Sequence, residues 1–284
     1  YARSVSGQRA TVSKMTAEDV HGLHRRTWIR ENLVLSFSGD LDQERARASA
    51  ERILAALGQG PPLRDSVDEP SGPRGRSLVF VDKPERTQTQ SLIGGRGTRP
   101  HDLDHVALHV ANTVLGGTFT ARLMNEVRSK RGWSYGAYSS LPYDRHRQAF
   151  SMWTFPKASD AAACIRLELD LLAAWCERGI TKRELAWAKR YLTRSHAFAI
   201  DTASKRVGLA LDALIYDLPA GYYDDYLDHI AGVTLEAANA AIRQRISPEN
   251  LVIAVVGTAS EIEADVRAAI PDLGAHEVVS FDAD

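Results

Sequence analysis

An arginine and a tyrosine seven residues apart, Arg128 and Tyr135, are the side chains in this sequence best suited to hold a peptide carbonyl. Both groups donate hydrogen bonds, and the guanidinium keeps its positive charge. Donors of this kind stabilise an oxyanion that develops in a site with little water. An arginine near a helix end and a tyrosine in a core are also ordinary structural residues. The spacing alone therefore leaves both interpretations open.

The residues around Arg128 predict a helix from Thr118 to Arg131. Gly132 ends it after two basic residues, as helix C-termini prefer. The spacing i, i+4, i+8 predicts that its buried face is formed by Phe119, Leu123 and Val127. Arg128 lies at the margin of that face, where its stem can be buried while its guanidinium reaches a cavity.

A strand is predicted to follow the helix, from Trp133 to Leu141, and to form a hairpin with residues 148–155. Side chains alternate along a strand, so Tyr135 is expected on the same side as Trp133 and Ala137. Tyr138, a second candidate for the tyrosine role, falls on the opposite side. Arg128 and Tyr135 are thus expected to converge where the helix ends and the strand starts.

A second set of polar residues has the spacing of a metal site. His101, Asp104 and His105 occur in the order His-x-x-Asp-His at the start of a predicted helix. Residues four apart on a helix face the same way, so metal binding is one interpretation. Acidic residues are common at helix N-termini for electrostatic reasons, however, and aspartate has a shorter reach than glutamate. The structural interpretation is favoured, and none of these residues is predicted to bind a metal.

The sequence contains an internal repeat with an offset of 218 residues. Thr16 precedes the run Glu31-Asn32-Leu33-Val34 by fifteen residues, and Thr234 precedes Glu249-Asn250-Leu251-Val252 by the same distance. Each run continues through an apolar strand to a glycine, Gly39 or Gly257, and then to an acidic amphipathic helix. The repeat predicts that residues 1–60 correspond to the last quarter of a second, complete copy. The alternative to a duplication is that the two segments are ordinary αβα units that are unrelated to each other.

Domain boundaries follow from this repeat and from composition. Residues 61–75 are rich in glycine, proline and charge without a hydrophobic period, which is typical of a linker. Residues 76–284 then form the complete copy. Strands and helices come in clusters, which predicts an α+β fold: two-layer α/β sandwich domains with mostly antiparallel sheets, present as one partial and one complete copy.

Composition excludes several classes of function. The 284 residues have a formal net charge of −1, so no global field attracts nucleic acid or an anionic membrane. The longest apolar run, Leu251–Val256, is too short to span a bilayer, and no membrane span is expected. Cys164 and Cys176 fall in one predicted helix at a separation of about 18 Å, which is too far for a disulfide. Two buried thiols are predicted, which leaves the cytoplasm and the periplasm of a bacterium both open.

The run LGGTFTARLMNEVRSKRGWSYGAYSS, residues 115–140, resembles the second-domain signature of the pitrilysin/insulinase family of zinc metallopeptidases, known as M16. The resemblance is to the smaller bacterial branch and covers essentially the whole chain. The segment from Tyr1 to Gly7 is similar to family residues downstream of the zinc ligands. Val81-Asp82-Lys83-Pro84 with Gln88 and Gln90 is similar to the family's second-domain entry strands.

This resemblance implies a role for the two candidate residues. Arg128 and Tyr135 match the family's pair that binds the substrate backbone and helps to stabilise the tetrahedral intermediate. The family's zinc motif, His-x-x-Glu-His with a distant glutamate, is absent here. The resemblance implies that zinc and the general base come from a missing N-terminal domain or from a partner chain in a dimer. The fragment alone is expected to bind peptide but not zinc and not to hydrolyse peptides. A non-catalytic relative that serves as a scaffold in a larger complex is the alternative.

Overall fold

The computed structural model describes residues 5–64 and 67–282 and divides into two compact units. The first unit contains the described residues up to Asp68 together with Ile200–Leu211. The second contains Glu69–Ala199 and Asp212–Phe281. No helix among the described residues combines the length and the apolar character needed to cross a bilayer.

The first unit consists of short helices with little buried surface. They are α1 (Arg9–Val12), α2 (Ala17–Thr27) and α3 (Gln43–Ala55). None of these helices buries a residue. Ile29, at 4% exposure, is the one buried apolar residue among those described before Asp68.

The predicted strand from Leu33 to Phe37 is not formed, which corrects that expectation. These residues are irregular, and the pairing nearest to them is an isolated bridge between Ile29 and Gly58. A strand needs a hydrogen-bonded neighbour along its length, and none is present in the described part of this unit.

The second unit is built on a six-stranded sheet with the order β3-β4-β2-β5-β1-β6. The strands are β1 (Arg76–Asp82), β2 (Gln90–Arg96), β3 (Ala137–Ser140), β4 (Ala149–Thr154), β5 (Leu251–Gly257) and β6 (Leu273–Ser280). The helices of the remaining sequence are α4 (His105–Leu115), α5 (Ala161–Arg178), α6 (Lys182–Ala199), α7 (Ala203–Ile215), α8 (Tyr226–Gly232), α9 (Leu235–Arg245) and α10 (Ala259–Ala269).

The sheet is mixed, whereas a mostly antiparallel sheet was expected. Strands β3, β4, β2 and β5 pair antiparallel, but β1 pairs parallel with both β5 and β6. The apolar run Leu251–Val256 lies within β5, which is internal to the sheet, and β6 forms the edge. The cause is α10, which carries the chain from β5 over β1 to β6 and so returns it in the same direction.

The α+β, two-layer architecture is confirmed. Burial alternates along the strands, so one face of the sheet is covered and the other is more exposed. The covered face packs against helices in a core that includes Phe80, Ile93, Phe150, Ile165, Leu172, Trp175, Ile253 and Val255. Cys164 and Cys176 are buried free thiols on α5, as predicted.

Candidate functional site

Arg128 lies in a π-helical segment, Met124–Ser129, and not in a long regular helix. Lys130 N donates to the carbonyl of Asn125, five residues earlier, at 3.0 Å. The predicted start at Thr118 is wrong, because helical structure begins at Arg122. Turns of the π type are rare and occur often at functional sites.

The C-terminus of this segment is fixed as the sequence predicted. Gly132 has a φ of +66°, a left-handed conformation that glycine adopts without steric cost. Its amide donates to Arg128 O at 2.9 Å, and the amide of Trp133 donates to Val127 O at 3.1 Å. These bonds satisfy carbonyls that the helix end would otherwise leave free.

Tyr135 lies in a bend before β3, and not on the predicted strand. The Ser134 hydroxyl is buried, donates to Gly136 O at 2.7 Å and accepts from Phe155 N at 3.1 Å. This bend turns Tyr135 outward, to 73% exposure, while Ala137 is fully buried. The expectation that these two residues share one side of a strand is therefore wrong.

The structure brings Arg128 and Tyr135 together. The Arg128 guanidinium carbon lies 4.4 Å from the centroid of the Tyr135 ring and 4.6 Å from that of Phe119. The guanidinium thus contacts two aromatic rings, each of which contributes about 0.5–1 kcal/mol at an exposed site. Arg128 Nη1 is buried and has no hydrogen-bond partner within the described chain. A donor of fixed charge is therefore available beside an exposed phenol.

Phe119 is the member of this cluster that the sequence did not reveal. It was predicted to be buried with Leu123 and Val127, which are both fully buried, yet Phe119 is 59% exposed. It precedes the first helical turn, so helical spacing does not apply to it. The glycine pair at residues 116–117 was the available signal, since it separates Phe119 from α4 and lets the chain turn before the helix begins.

Arg122 attaches the π-helical segment to the helices behind it. Its guanidinium makes two 2.8 Å bonds to the Glu184 carboxylate and one of 3.0 Å to Gly179 O. Burial acts to raise the pKa of Glu184, but bonds from Arg122 and Thr181 outweigh it and hold this pKa below its usual value. Because this ion pair is bidentate and half-buried, it fixes the position of Arg122. It thereby holds the helical backbone that carries Arg128.

The His-x-x-Asp-His residues are held by other groups. His101 Nε2 lies 2.6 Å from Asp217 O and precedes α4, so the helical spacing does not apply to it. His105 is buried and bonds Thr98 Oγ1 at 2.8 Å and Tyr222 OH at 3.2 Å. Burial, followed by the charge of His109, lowers the pKa of His105 to about 4.

The donor set does not fit a zinc ion. In residues 5–64 and 67–282, no group of three or more His, Cys, Asp or Glu side chains is close enough to hold a metal. Structural and catalytic zinc sites use at least three such protein ligands. Arg128 and Tyr135 carry no ligand of this kind, so the candidate site offers hydrogen-bond donors and one positive charge.

Comparison with known proteins identifies related chains. A family model described as "Peptidase M16 inactive domain" matches residues 14–192. The chain is 23% identical over 257 residues to the non-peptidase homolog YmxG of Helicobacter pylori, covering 90% of this chain and 59% of that protein. It is 27% identical over 252 residues to an uncharacterized zinc protease of Mycobacterium leprae, covering 86% of this chain and 55% of that protein. The chain thus spans little more than half the length of these relatives.

Solved structures share the fold. A peptidase M16 inactive domain from Pseudomonas fluorescens superposes with a TM-score of 0.81 at 30% identity, covering 90% of this chain and 61% of that one. A protease from Helicobacter pylori gives a TM-score of 0.78 at 16% identity, over 88% of this chain and 61% of that one. At that identity the second match shows the fold alone.

Proposed function

This chain belongs to the peptidase M16 inactive domain family, and from that premise we propose that it is the substrate-binding, C-terminal part of a zinc-dependent metalloendopeptidase. The observation that supports this most directly is the Arg128 guanidinium, held against two aromatic rings with one donor unpartnered, beside the exposed Tyr135.

The two side chains divide the work of holding a peptide carbonyl. Arg128 donates from a guanidinium that cannot lose its charge, so it binds the carbonyl oxygen at any physiological pH. The Tyr135 hydroxyl donates to the oxygen as negative charge develops on it. Because the rings and the Arg122–Glu184 ion pair orient Arg128 beforehand, little reorganisation is needed when substrate arrives.

Zinc and the general base are proposed to come from outside this chain. In the complete enzyme, a bound zinc ion would supply a Lewis acid for activating water and polarising the scissile carbonyl. Its ligands would be supplied by an N-terminal domain with a His-x-x-Glu-His motif or by a partner chain in a dimer. The exposed donors of this chain would then meet the peptide from the opposite side.

Residues 1–60 are proposed to be the C-terminal part of a first M16-like domain, joined by a linker at 61–75 to a second domain at 76–284. Three exposed apolar residues support this: Val20, Leu23 and Trp28 are each more than half exposed. The residues at the equivalent positions of the second copy, 218 residues on, are buried: Ala238, Ala241 and Ile246. An apolar face of this kind is expected to be covered in the intact protein.

The test is turnover of a peptide substrate by the complete, zinc-containing enzyme with Arg128→Ala or Tyr135→Phe. Each variant is expected to lower kcat at least tenfold, since one lost oxyanion donor costs about 100-fold or more in comparable sites. Tyr138→Phe is the matched control, because Tyr138 lies on β3, paired with Trp153 of β4, and is expected to retain full activity. Wild-type rates in both site variants would refute the role.

A non-catalytic scaffold is the second candidate. It is favoured by the Helicobacter pylori relative, which is named a non-peptidase homolog. Zinc analysis and peptide hydrolysis by the complete protein separate the candidates. An enzyme binds one zinc per active site and cleaves peptide, whereas a scaffold does neither.

A further inference from the structure

Helix α6 carries a strong local positive charge in a chain that is nearly neutral. Between Lys182 and Ala199 the sequence contains five lysines or arginines and one glutamate, against a net charge of −1 for the whole protein. The one glutamate is Glu184, which is paired with Arg122 and so offers no compensation to its neighbours. The charge on this helix is therefore available to an external anion.

Three exposed arginines lie along this helix without a carboxylate partner in the described part of the chain. They are Arg183, Arg190 and Arg194. Their spacings of seven and four residues correspond to about 10 and 6 Å along the helix axis. Side chains on one face of an extended peptide recur about every 7 Å. Carboxylates four positions apart, about 14 Å, therefore reach from Arg183 to a point between Arg190 and Arg194, with one further side chain between them on the same face.

Aromatic rings lie between the arginines. Trp187 and Tyr191 stack with their centroids 5.9 Å apart and their planes 24° apart. Trp187 is partly packed on the core, which holds this pair rigid, while Tyr191 is 43% exposed. The pair offers a flat apolar surface between positive charges, which suits an apolar side chain in an otherwise acidic segment.

The same residues line two depressions that join into one groove. The first, of about 450 Å³, is lined by Thr120, Asn125, Arg183, Trp187 and Arg190, among others. The second, of about 310 Å³, shares Trp187 and Arg190 and continues past Tyr191 and Arg194. The groove is defined here as the surface from Thr120 to Arg194, and its first residue directly follows Phe119 of the candidate site.

From this arrangement we infer that the groove binds an extended, acidic peptide segment in which carboxylates and apolar side chains alternate along the one face that meets the groove. Its length along α6, about 17–22 Å, accommodates about five to seven extended residues. The choice of a peptide over another polyanion rests on the proposed function, since Thr120 of the groove directly follows Phe119, whose ring contacts Arg128. The binding itself requires no hydrolysis.

The test measures fluorescence anisotropy of a labelled peptide about seven residues long with this chain at low ionic strength. Glutamate and phenylalanine alternate at every second position of the peptide, with serine at the others, so that both face the groove. Saturable binding is expected, and raising salt from roughly 50 to 500 mM is expected to weaken it, because exposed charges are screened. A peptide with lysine in place of glutamate is expected not to bind. Equal binding of the acidic and basic peptides would overturn the inference.

Variants locate the binding on α6. Arg190→Ala with Arg194→Ala is expected to weaken binding about tenfold, the sum of two exposed ion pairs. The same two positions changed to lysine are expected to retain binding within about threefold, since charge is kept. Arg243→Ala, an exposed arginine on α9 outside the groove, is the matched control and is expected to change nothing.

Three further measurements separate this inference from its alternatives. The proposed catalytic role is tested by turnover of the complete enzyme, whereas this inference is tested by peptide binding to this chain and by the Arg190 and Arg194 variants, so a failure of one is distinguishable from a failure of the other. Tighter binding of a single-stranded oligonucleotide than of the acidic peptide would refute the peptide class. A shift in oligomeric state on Arg190→Ala with Arg194→Ala, seen by sedimentation and without loss of peptide binding, would assign the groove to a second copy and overturn the inference.

Discussion

The two copies of the sequence repeat start with the same local structure. In each, a threonine caps a helix by accepting a hydrogen bond from the amide three residues on: Thr16 from Asp19 N at 3.2 Å and Thr234 from Ala237 N at 3.1 Å. Caps of this type depend on neighbours in sequence alone. Both copies therefore form a helix of 11 residues, α2 and α9.

The copies differ where the repeat requires a strand. In the second copy, Leu251–Gly257 forms β5 between β1 and β2 and buries alternate residues. In the first, the equivalent Leu33–Phe37 is irregular. The two stretches share the residues Glu-Asn-Leu-Val, so the difference lies in the available hydrogen-bonding partners. A strand is a tertiary element, whereas a capped helix is a local one.

The largest expected effect comes from truncating one leucine in each copy. Leu251 is 1% exposed, and Leu251→Ala is expected to destabilise the second unit by about 2–5 kcal/mol, because a buried side chain is lost and a cavity remains. Leu33, at the same position of the repeat, is half-buried, and Leu33→Ala is expected to cost less than about 1 kcal/mol. Urea denaturation followed by tryptophan fluorescence reports mainly on the second unit, which contains four of the five tryptophans, and hydrogen exchange reports on both. Equal costs would show that the first copy is packed as tightly as the second.

A second difference is the response to pH. Glu168 on α5 is fully buried, and its carboxyl contacts Thr154 at 2.9 Å and Ser91 at 3.4 Å. Burial raises the pKa of Glu168 to about 8, although the bonds from Thr154 and Ser91 act to lower it. No ionisable side chain is buried among the described residues before Asp68, so the first copy has no comparable group.

The sign of this effect follows from proton binding. The folded state keeps Glu168 protonated at pH values where the unfolded chain has already lost that proton. The stability that protonated Glu168 contributes is fully present below about pH 4.5. As the pH rises towards 8, the free energy of unfolding falls by up to about 1.4 kcal/mol per pH unit. The free energy of unfolding, measured from pH 6.5 to 8, is expected to fall with pH in the wild type. In Glu168→Gln this slope is expected to disappear.

Glu177→Gln, at an exposed position of the same helix, is the matched control and should keep the wild-type slope. A slope that persists unchanged in Glu168→Gln would assign the pH dependence to other groups.

The smallest expected loss of stability comes from removing the helix caps, and it is expected to be equal in the two copies. Thr16→Ala and Thr234→Ala each remove one cap, at a cost of about 1 kcal/mol. Hydrogen exchange of the first-turn amides of α2 and α9 measures this loss, and Thr→Ser at either position is expected to restore protection. Unequal losses would show that tertiary packing contributes to one of the caps.

The candidate site shows the same division between local and tertiary control. Sequence spacing predicted that Arg128 and Tyr135 converge, and they do, because the glycine stop that lies between them is set locally. Their roles in catalysis remain predictions. Phe119, the π-helical turn and the outward bend at Tyr135 were not predicted. The bend depends on a contact with a residue distant in sequence, the bond from Phe155 N to the Ser134 hydroxyl.

The sequence by itself determined the family, the α+β class, the helix caps and the buried thiols, because each rests on residue type and short-range spacing. Only the tertiary structure decided that the sheet is mixed, that β6 forms its edge, and that one copy of the repeat forms a strand while the other does not. Strand direction and pairing depend on which segments meet in space. The pairing that fixes them joins residues up to about 200 positions apart, such as Ser77 of β1 and Ala275 of β6.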